Sequence, residues 1–476
     1  MPFSVYHHPM YAQTSFVSGS FSEHSFNDAL AAALKDRRHY WRATDDAVTS
    51  ERTDVLLAKS SLRPDILVRS RHGNPIIIEV EINSDPDPDA RRRVGQRTTF
   101  GKQIYSAIAL RAPELVRGWA TPAEAAHMLN RSRRGQDPGF SLEFAVYQQG
   151  EGEEIERWPR RDFIAGNVDD LADVCETAAT PHHMIETFAE DVAKRIIGHA
   201  DALRDEITHD VAVEIATAIG QGKVTQGLRL ACCIWMSTLR LHDMLASTDE
   251  MKVRGLKSIA QLRNDSIGNV LTLSHVRDAW GIILDYNYRS IFGPALRALV
   301  DTLPPGAGAD TLDNLSRLAE QVTAQGLGDH VDFAGELFPK LLEDRKETAA
   351  NYTLPTTASM LARIAVDRIP ITDWSNDEEV SNIKIADFAC GTGTLLRAAY
   401  QRIRKNYEAA GGSNVAGLHR RMMEGGITGT DINPLAAHMT AAGLSTIEIE
   451  QSYRDTNIGA LPVRGGRTGA LEFLET

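Results

Sequence analysis

Within Ile385-Ala-Asp-Phe-Ala-Cys-Gly-Thr-Gly-Thr-Leu-Leu396 a short apolar run ends on an acid, bends through Gly391-Thr-Gly393 and enters a helical pattern. A second apolar run, Gly426–Thr430, ends on Asp431 and passes through Asn433-Pro434 into another helical pattern. Strand, glycine turn and helix, followed by strand, acid and helix, constrain this region to a doubly wound sheet that holds an adenosine-containing cofactor. Gly391 and Gly393 let the backbone turn sharply and approach a ligand with no Cβ in the way. The helix that follows offers free N–H groups and its positive end to a ligand carboxylate. Asp387 is placed to accept from a ligand amino group or to order the loop. Asp431 is placed to accept from both ribose hydroxyls, with Ile432 against the adenine ring. A glycine turn in an unrelated α/β domain is the plainer alternative.

A chain of 476 residues exceeds one ordinary core, so two to four domains are expected. The reading is a multidomain α/β protein with boundaries at 1–165, 166–345 and 346–476. Short β-branched-rich runs bounded by Gly, Pro and Asn (Pro64-Asp-Ile-Leu-Val68, Pro75-Ile-Ile-Ile-Glu-Val-Glu-Ile82 and Asp54–Ala58), with Ser141–Tyr147 as another strand, make the first part a small α/β unit. A helix over Phe21–Leu34 precedes them. Asp85-Pro-Asp-Pro-Asp89 reads as a breaker, followed by a basic helix through Tyr105–Leu110. From about Asp169 to Glu347 helical spacing dominates, as over Met184–Leu203, Val211–Ile219, Leu228–Leu245 and Ile291–Leu303, and predicts a helical domain. The last part returns to α/β.

The net charge of −13 is awkward for a nucleic-acid binder. Between Ala90 and Gln136, however, ten Lys/Arg stand against two acids. That stretch is either a phosphate-tracking face or an ordinary solvated one. No leader pattern and no membrane-length apolar run occurs, and four scattered cysteines form no framework, so a cytoplasmic setting is expected. The histidine pairs His7-His8 and His182-His183 lack metal-ligand spacing. Cys232-Cys233 reads as core packing, and Cys390 as a small residue suited to the tight turn.

Three segments carry a resemblance. Asp387-x-Ala-Cys-Gly-Thr-Gly393 resembles the first motif of adenine-specific DNA methyltransferases of restriction–modification systems, especially type I methylation subunits. Thr430-Asp-Ile-Asn-Pro434 resembles their second motif. Glu336–Pro355 resembles the helix and Tyr-Thr-x-Pro segment ahead of the first motif, with Tyr352, Thr353 and Pro355 in the positions that fold over the methionine end of the cofactor. Gly469-Ala-Leu-Glu472 loosely matches the third-strand motif, with Glu472 near the adenine amine. The resemblance spans about Asp332–Thr476. It implies S-adenosyl-L-methionine as cofactor, held by Tyr352, Thr353, Pro355, Asp387, Ala389, Cys390, Gly391, Thr392, Gly393, Asp431, Ile432, Asn433 and Glu472.

It also implies double-stranded DNA as partner, with a specificity subunit or a second polypeptide completing the enzyme, and no membrane. The implied reaction moves a methyl group to the exocyclic amine of a flipped adenine. Two departures stand out. Asp431 lies 44 positions after Asp387, where a minimal nucleotide-binding unit needs ~20, and Gly411-Gly-Ser413 marks an inserted loop. The catalytic Asn/Asp-Pro-Pro-Tyr/Phe motif is absent, so the Rossmann-like sheet is expected to be incomplete, from a truncated or split enzyme.

In the first part, Pro64-Asp65 followed by Glu79-Val-Glu81 resembles the PD-(D/E)xK nuclease pattern. The resemblance implies Asp65, Glu79 and Glu81 as Mg²⁺ ligands, Lys102 as a displaced catalytic lysine, and Glu23 or Asp28 as an added ligand. An acidic strand edge that discourages pairing is the bland alternative. Two other functional readings therefore remain: a Mg²⁺-dependent DNA endonuclease of a combined restriction–modification protein, and a non-catalytic DNA-binding or assembly subunit. A methyltransferase acting on protein or a small molecule fits the two glycines alone.

Overall fold

The computed structural model describes residues 22–37, 41, 47–50, 63–69, 74–82, 84–98, 103–112, 116, 121–131, 141–150, 152, 154–299, 301–304, 306–325, 331–343 and 353–460. They form two compact units, 1–181 and 182–476.

The first unit is a mixed sheet covered on both faces. Its elements are α1 (Glu23–Lys35), β1 (Val48–Ser50), β2 (Ile66–Arg69), β3 (Pro75–Glu81), α2 (Asp87–Arg93), β4 (Ser106–Arg111), α3 (Pro122–Arg131), β5 (Leu142–Gln149), β6 (Ile155–Trp158), β7 (Ile164–Gly166) and α4 (Val168–Ala178). The strand order is β1-β2-β3-β4-β5-β6, with β7 also on β5, and only β3 and β4 run parallel. Side-chain alternation splits the interior in two. Ile66, Val68, Ile76, Ile78, Val80, Ile108 and Leu110 face α1, α3 and α4, whereas Leu67, Ile77, Ala107 and Ala109 face Ala90 and Val94 on the α2 side.

Two expectations fail here for one reason each. Ser106–Leu110 of the stretch expected as a basic helix belongs to strand β4 instead. A central strand buried on both faces loses the polar alternation that marks strands, so its sequence mimics a helical apolar run. Asp85–Asp89 does not break structure but starts α2, with Pro86 at the N-cap and Asp87 and Asp89 in the first turn. Proline lacks an N–H that a first turn leaves unbonded anyway, and acids suit the positive helix end. The basic stretch is consequently not one continuous face. Arg91 and Arg92 are exposed on α2, but Arg93 is only 2% exposed. Lys102, Arg117, Arg133 and Arg134 lie outside the described residues, as does the strand expected over Asp54–Ala58.

The second unit begins with α5 (His182–Glu206), α6 (His209–Ala218), α7 (Val224–Ala246), α8 (Asp249–Val253), α9 (Ile259–Asn264), α10 (Leu273–Tyr286), α11 (Arg289–Leu299), α12 (Ala309–Gln325) and α13 (Val331–Leu341). It continues with α14 (Pro355–Val366), α15 (Asp377–Ser381), β8 (Ile385–Asp387), α16 (Thr394–Ala409), α17 (Val415–Arg421), β9 (Ile427–Asp431), α18 (Pro434–Ser445) and β10 (Asn457–Ala460). Helix α7 is buried nearly all round, from Leu228 to Ala246, and forms the axis of the bundle. Bundle residues such as Trp235 and Phe292 share one hydrophobic core with Leu396, Tyr400, Ile427 and Leu435 of the α/β part.

Strands β8, β9 and β10 are parallel, in the order β10-β9-β8. Helix α16 leaves β8 and α18 leaves β9, which gives the first half of a doubly wound order. The long gap between Asp387 and Asp431 is filled by structure: Gly411, at φ +100°, turns the chain into α17, and one π-helical turn over Met422–Gly426 returns it to β9. No described helix is long and apolar enough to cross a membrane.

Candidate cofactor site and acidic cluster

In a parallel sheet the C-terminal strand ends lie side by side, and β8 and β9 bring their acids there. Asp387 Oδ1 accepts from Ala389 N at 3.1 Å, folding the chain back directly after the strand. Cys390 N then donates to Thr430 O at 2.9 Å, and Gly391 N donates to Asp431 Oδ2, also at 2.9 Å. The glycine turn is thus tied to the end of β9 by two hydrogen bonds. Asp431 Oδ1 accepts from Asn433 N at 2.8 Å, so each of its oxygens holds one loop. A carboxylate has about four acceptor positions, which leaves capacity on Asp431 for hydroxyl donors.

The turn requires its glycines. Gly391 and Gly393 have φ of +54° and +84°, a region that costs other residues roughly 1–2 kcal/mol. At Gly393 an added Cβ would also sit 2.8 Å from Thr440 Cγ2. Gly393 is the N-cap of α16 and provides no capping side chain, so that end is open to a ligand. Asn433 caps α18, its Oδ1 accepting from Leu435 N at 3.0 Å.

Thr440 was not foreseen. It is buried on α18, and its hydroxyl donates to Gly391 O at 2.9 Å. Thr430 donates likewise to Phe388 O at 3.1 Å. These hydroxyls lock the loop from beneath, where sequence spacing carries no signal. Cys390 is buried, with Sγ 3.7 Å from Thr440 Oγ1, and burial pushes its thiol up to about 12. It packs and does not react.

The residues fit an adenosine-type cofactor on three observations. Ile432, an apolar side chain, stands 68% exposed beside Asp431. The Thr392 hydroxyl is buried with no hydrogen-bond partner among the described residues. A cleft lined by Gly335, Glu336, Pro339, Thr353, Pro355 and Thr394 opens at the start of α16. Thr353 and Pro355 line this cleft together with Thr394 of α16, Pro355 at the start of α14. Ala389 is exposed on the same loop. Tyr352 and Glu472 lie outside the described residues.

In the first unit, Glu79 and Glu81 lie on the α2 side of β3, two and four residues beyond Ile77 and on its face. Asp65 Oδ2 accepts from Val80 N at 2.8 Å, which seats it beside them. Glu23 at the start of α1 feels the charges of both Glu81 and Asp65; burial first, then those neighbours, raise its carboxyl above the usual range. Asp28 is bound by the Ser50 hydroxyl at 2.5 Å. Burial pushes Glu79 up to about 8, Asp65 adds repulsion, and Arg93 pulls back.

The fit to a divalent ion fails. Arg93 Nε lies 2.5 Å from Glu79 Oε1, and the two side chains are 3% and 7% exposed. Glu81 accepts from Ser84 Oγ. Among the described residues no three His, Cys, Asp or Glu come together closely enough to hold a metal ion. Lys102, sought as the catalytic lysine, lies outside the described residues.

No family model and no curated protein matches the chain. Among solved structures it is similar to DrdV in complex with DNA, at 12% identity over 93% of this chain and 40% of that one, with a TM-score of 0.41. The type IIG restriction endonuclease BpuSI matches at 12% identity over 96% of this chain and 48% of its own, TM-score 0.26. The ATP-dependent Type ISP restriction-modification enzyme LlaBIII bound to DNA matches at 12% over 63% and 19%, TM-score 0.29. The chain spans less than half the length of each. At such TM-scores the site is read from its own residues.

Proposed function

We propose that residues 353–460 hold S-adenosyl-L-methionine as the cofactor-binding part of an adenine-specific DNA methyltransferase of a restriction–modification or phage-defence system. One observation carries the cofactor reading: the hydrogen bond from Gly391 N to Asp431 Oδ2 joins the glycine turn and the acid, two elements 40 residues apart, at one strand edge. When bound, the cofactor supplies a sulfonium methyl group. Asp431 accepts from the ribose hydroxyls and Ile432 covers the adenine ring. Asp387 takes the amino group, and the open N-terminus of α16 takes the carboxylate. The DNA substrate and the adenine target rest on the motif resemblance, in particular on Asp387–Gly393 and the Thr353-x-Pro355 segment.

Calorimetric titration tests the cofactor assignment. The wild-type chain is expected to bind S-adenosyl-L-methionine, and Asp431→Ala to lose that binding while its melting remains cooperative. Unchanged affinity in Asp431→Ala would falsify the assignment. The substrate is tested by supplying the chain with polypeptides encoded beside it and labelled cofactor. Label is expected on the adenine N6 of duplex DNA, and label confined to protein or to cytosine overturns that part.

A further inference from the structure

The carboxylates at the end of β3 already have a cation. Helix α2 lies in the crossover between the parallel strands β3 and β4, and its Ala90 and Val94 pack on the sheet face that carries Ile77. Arg93 is adjacent to Val94 and one turn from Ala90, so the packing that seats α2 also delivers a guanidinium to Glu79, two residues beyond Ile77 on that face. Its fork is used in two directions, Nε to Glu79 Oε1 at 2.5 Å and Nη2 to Arg63 O at 2.8 Å. Arg63 lies two residues before Asp65, whose own oxygen is bonded to the Val80 N–H. Arg93 and Glu79 are buried, and the half-buried Asp65 and the Arg63 carbonyl flank them.

We propose that Arg93 is the resident counter-ion of the Asp65/Glu79 cluster, standing where a metal-dependent nuclease would hold its ion, so that this unit takes no divalent cation there and cleaves no phosphodiester.

Three physical facts support this. Mg²⁺ demands near-octahedral oxygen ligation and keeps several of its waters, whereas here the buried Glu79 oxygen is against a buried guanidinium. Arginine stays charged at every accessible pH, so the cation is not removed by titration. A second cation placed beside it meets like-charge repulsion that burial strengthens. The inference is independent of the cofactor reading, since every residue in it belongs to the first unit.

The test is a Mn²⁺ titration of the full chain, read by the electron paramagnetic resonance of free Mn²⁺, with circular dichroism to establish folding. Wild type and Asp65→Asn are expected to bind the same number of ions. Arg93→Gln is expected to gain one site, at least tenfold tighter than any wild-type site. Adding Asp65→Asn to Arg93→Gln should remove that gain. One ion fewer in Asp65→Asn than in wild type overturns the proposal, and so does a folded Arg93→Gln with no added site. Should Arg93→Gln not fold, the comparison of wild type with Asp65→Asn decides alone, because the asparagine oxygen still accepts from Val80 N.

Discussion

Both units set acids near the C-terminal ends of parallel strands, and the two sets end in opposite states. In the first unit Glu79 is 5% exposed and faces a guanidinium. In the second, Asp387 and Asp431 are half-buried and accept from the backbone N–H groups of their own loops. The strand supplies a carboxylate in each case. What differs is the covering element. Helix α2 brings a long cation over β3, whereas β8 and β9 run into glycine and Asn-Pro turns that bring only N–H groups. A carboxylate met by backbone donors keeps lone pairs for a ligand, while one met by arginine inside a core is consumed.

That contrast can be broken in either unit. Removing Arg93 should have the largest effect: Arg93→Ala leaves the buried Glu79 without its guanidinium and is expected to cost about 3–5 kcal/mol of first-unit stability, read by urea denaturation at pH 9, above the value near 8 at which Glu79 ionises. A loss below about 1 kcal/mol would show that the guanidinium is not fixing these acids. Next comes Asp431→Ala, expected to weaken S-adenosyl-L-methionine by about 100-fold, or roughly 3 kcal/mol, through the loss of charge-assisted hydrogen bonds. The first unit should melt unchanged in that variant. Gly393→Ala forces a side chain into φ +84° and against Thr440, and about 2 kcal/mol of second-unit stability should go with it. A neutral result there would mean that the turn relaxes away from α18.

The pH response should be the smallest effect and should differ in sign between the units. Burial lowers His242 and His438 to about 4 and His419 to about 3. Each folded value lies below the unfolded one near 6.5, so the unfolded chain binds more protons in between. The second unit therefore keeps this stability above pH 6.5 and loses it as pH falls toward 4. Glu79 runs the other way: its folded value, near 8, lies above the unfolded one, so its share is complete below about pH 4.5 and is lost as pH rises through 8. Chemical denaturation at pH 5, 7 and 8.5, with His438→Gln and Glu79→Gln, measures both slopes. Parallel slopes for the two units would erase this part of the contrast.

Much of the second unit was legible in the linear chain. The helix starts near 394 and 434 follow from Gly393 at the N-cap and the Asn433-Pro434 start, and the end near 409 from Gly411 just past it. These are local signals, each acting within one turn. The strand at 106–111 was not legible, because burial on both faces erased the alternation that sequence reading depends on. Nor was Thr440, whose partner Gly391 lies 49 positions away. Strand periodicity puts Glu79 and Glu81 on one face of β3, but what Glu79 meets there was not legible, since Arg93 reaches it only after α2 has packed.

The amino-acid order thus determined which residues turn the chain, which acids sit at strand ends, and which faces must be covered, because dihedral preference and side-chain period act over a few residues. Only the tertiary structure decided what those acids meet. Arg93 beside Glu79 and Thr440 beneath Gly391 are products of how separate elements pack, and charge neutralisation and hydrogen bonding at that range depend on positions no local pattern encodes.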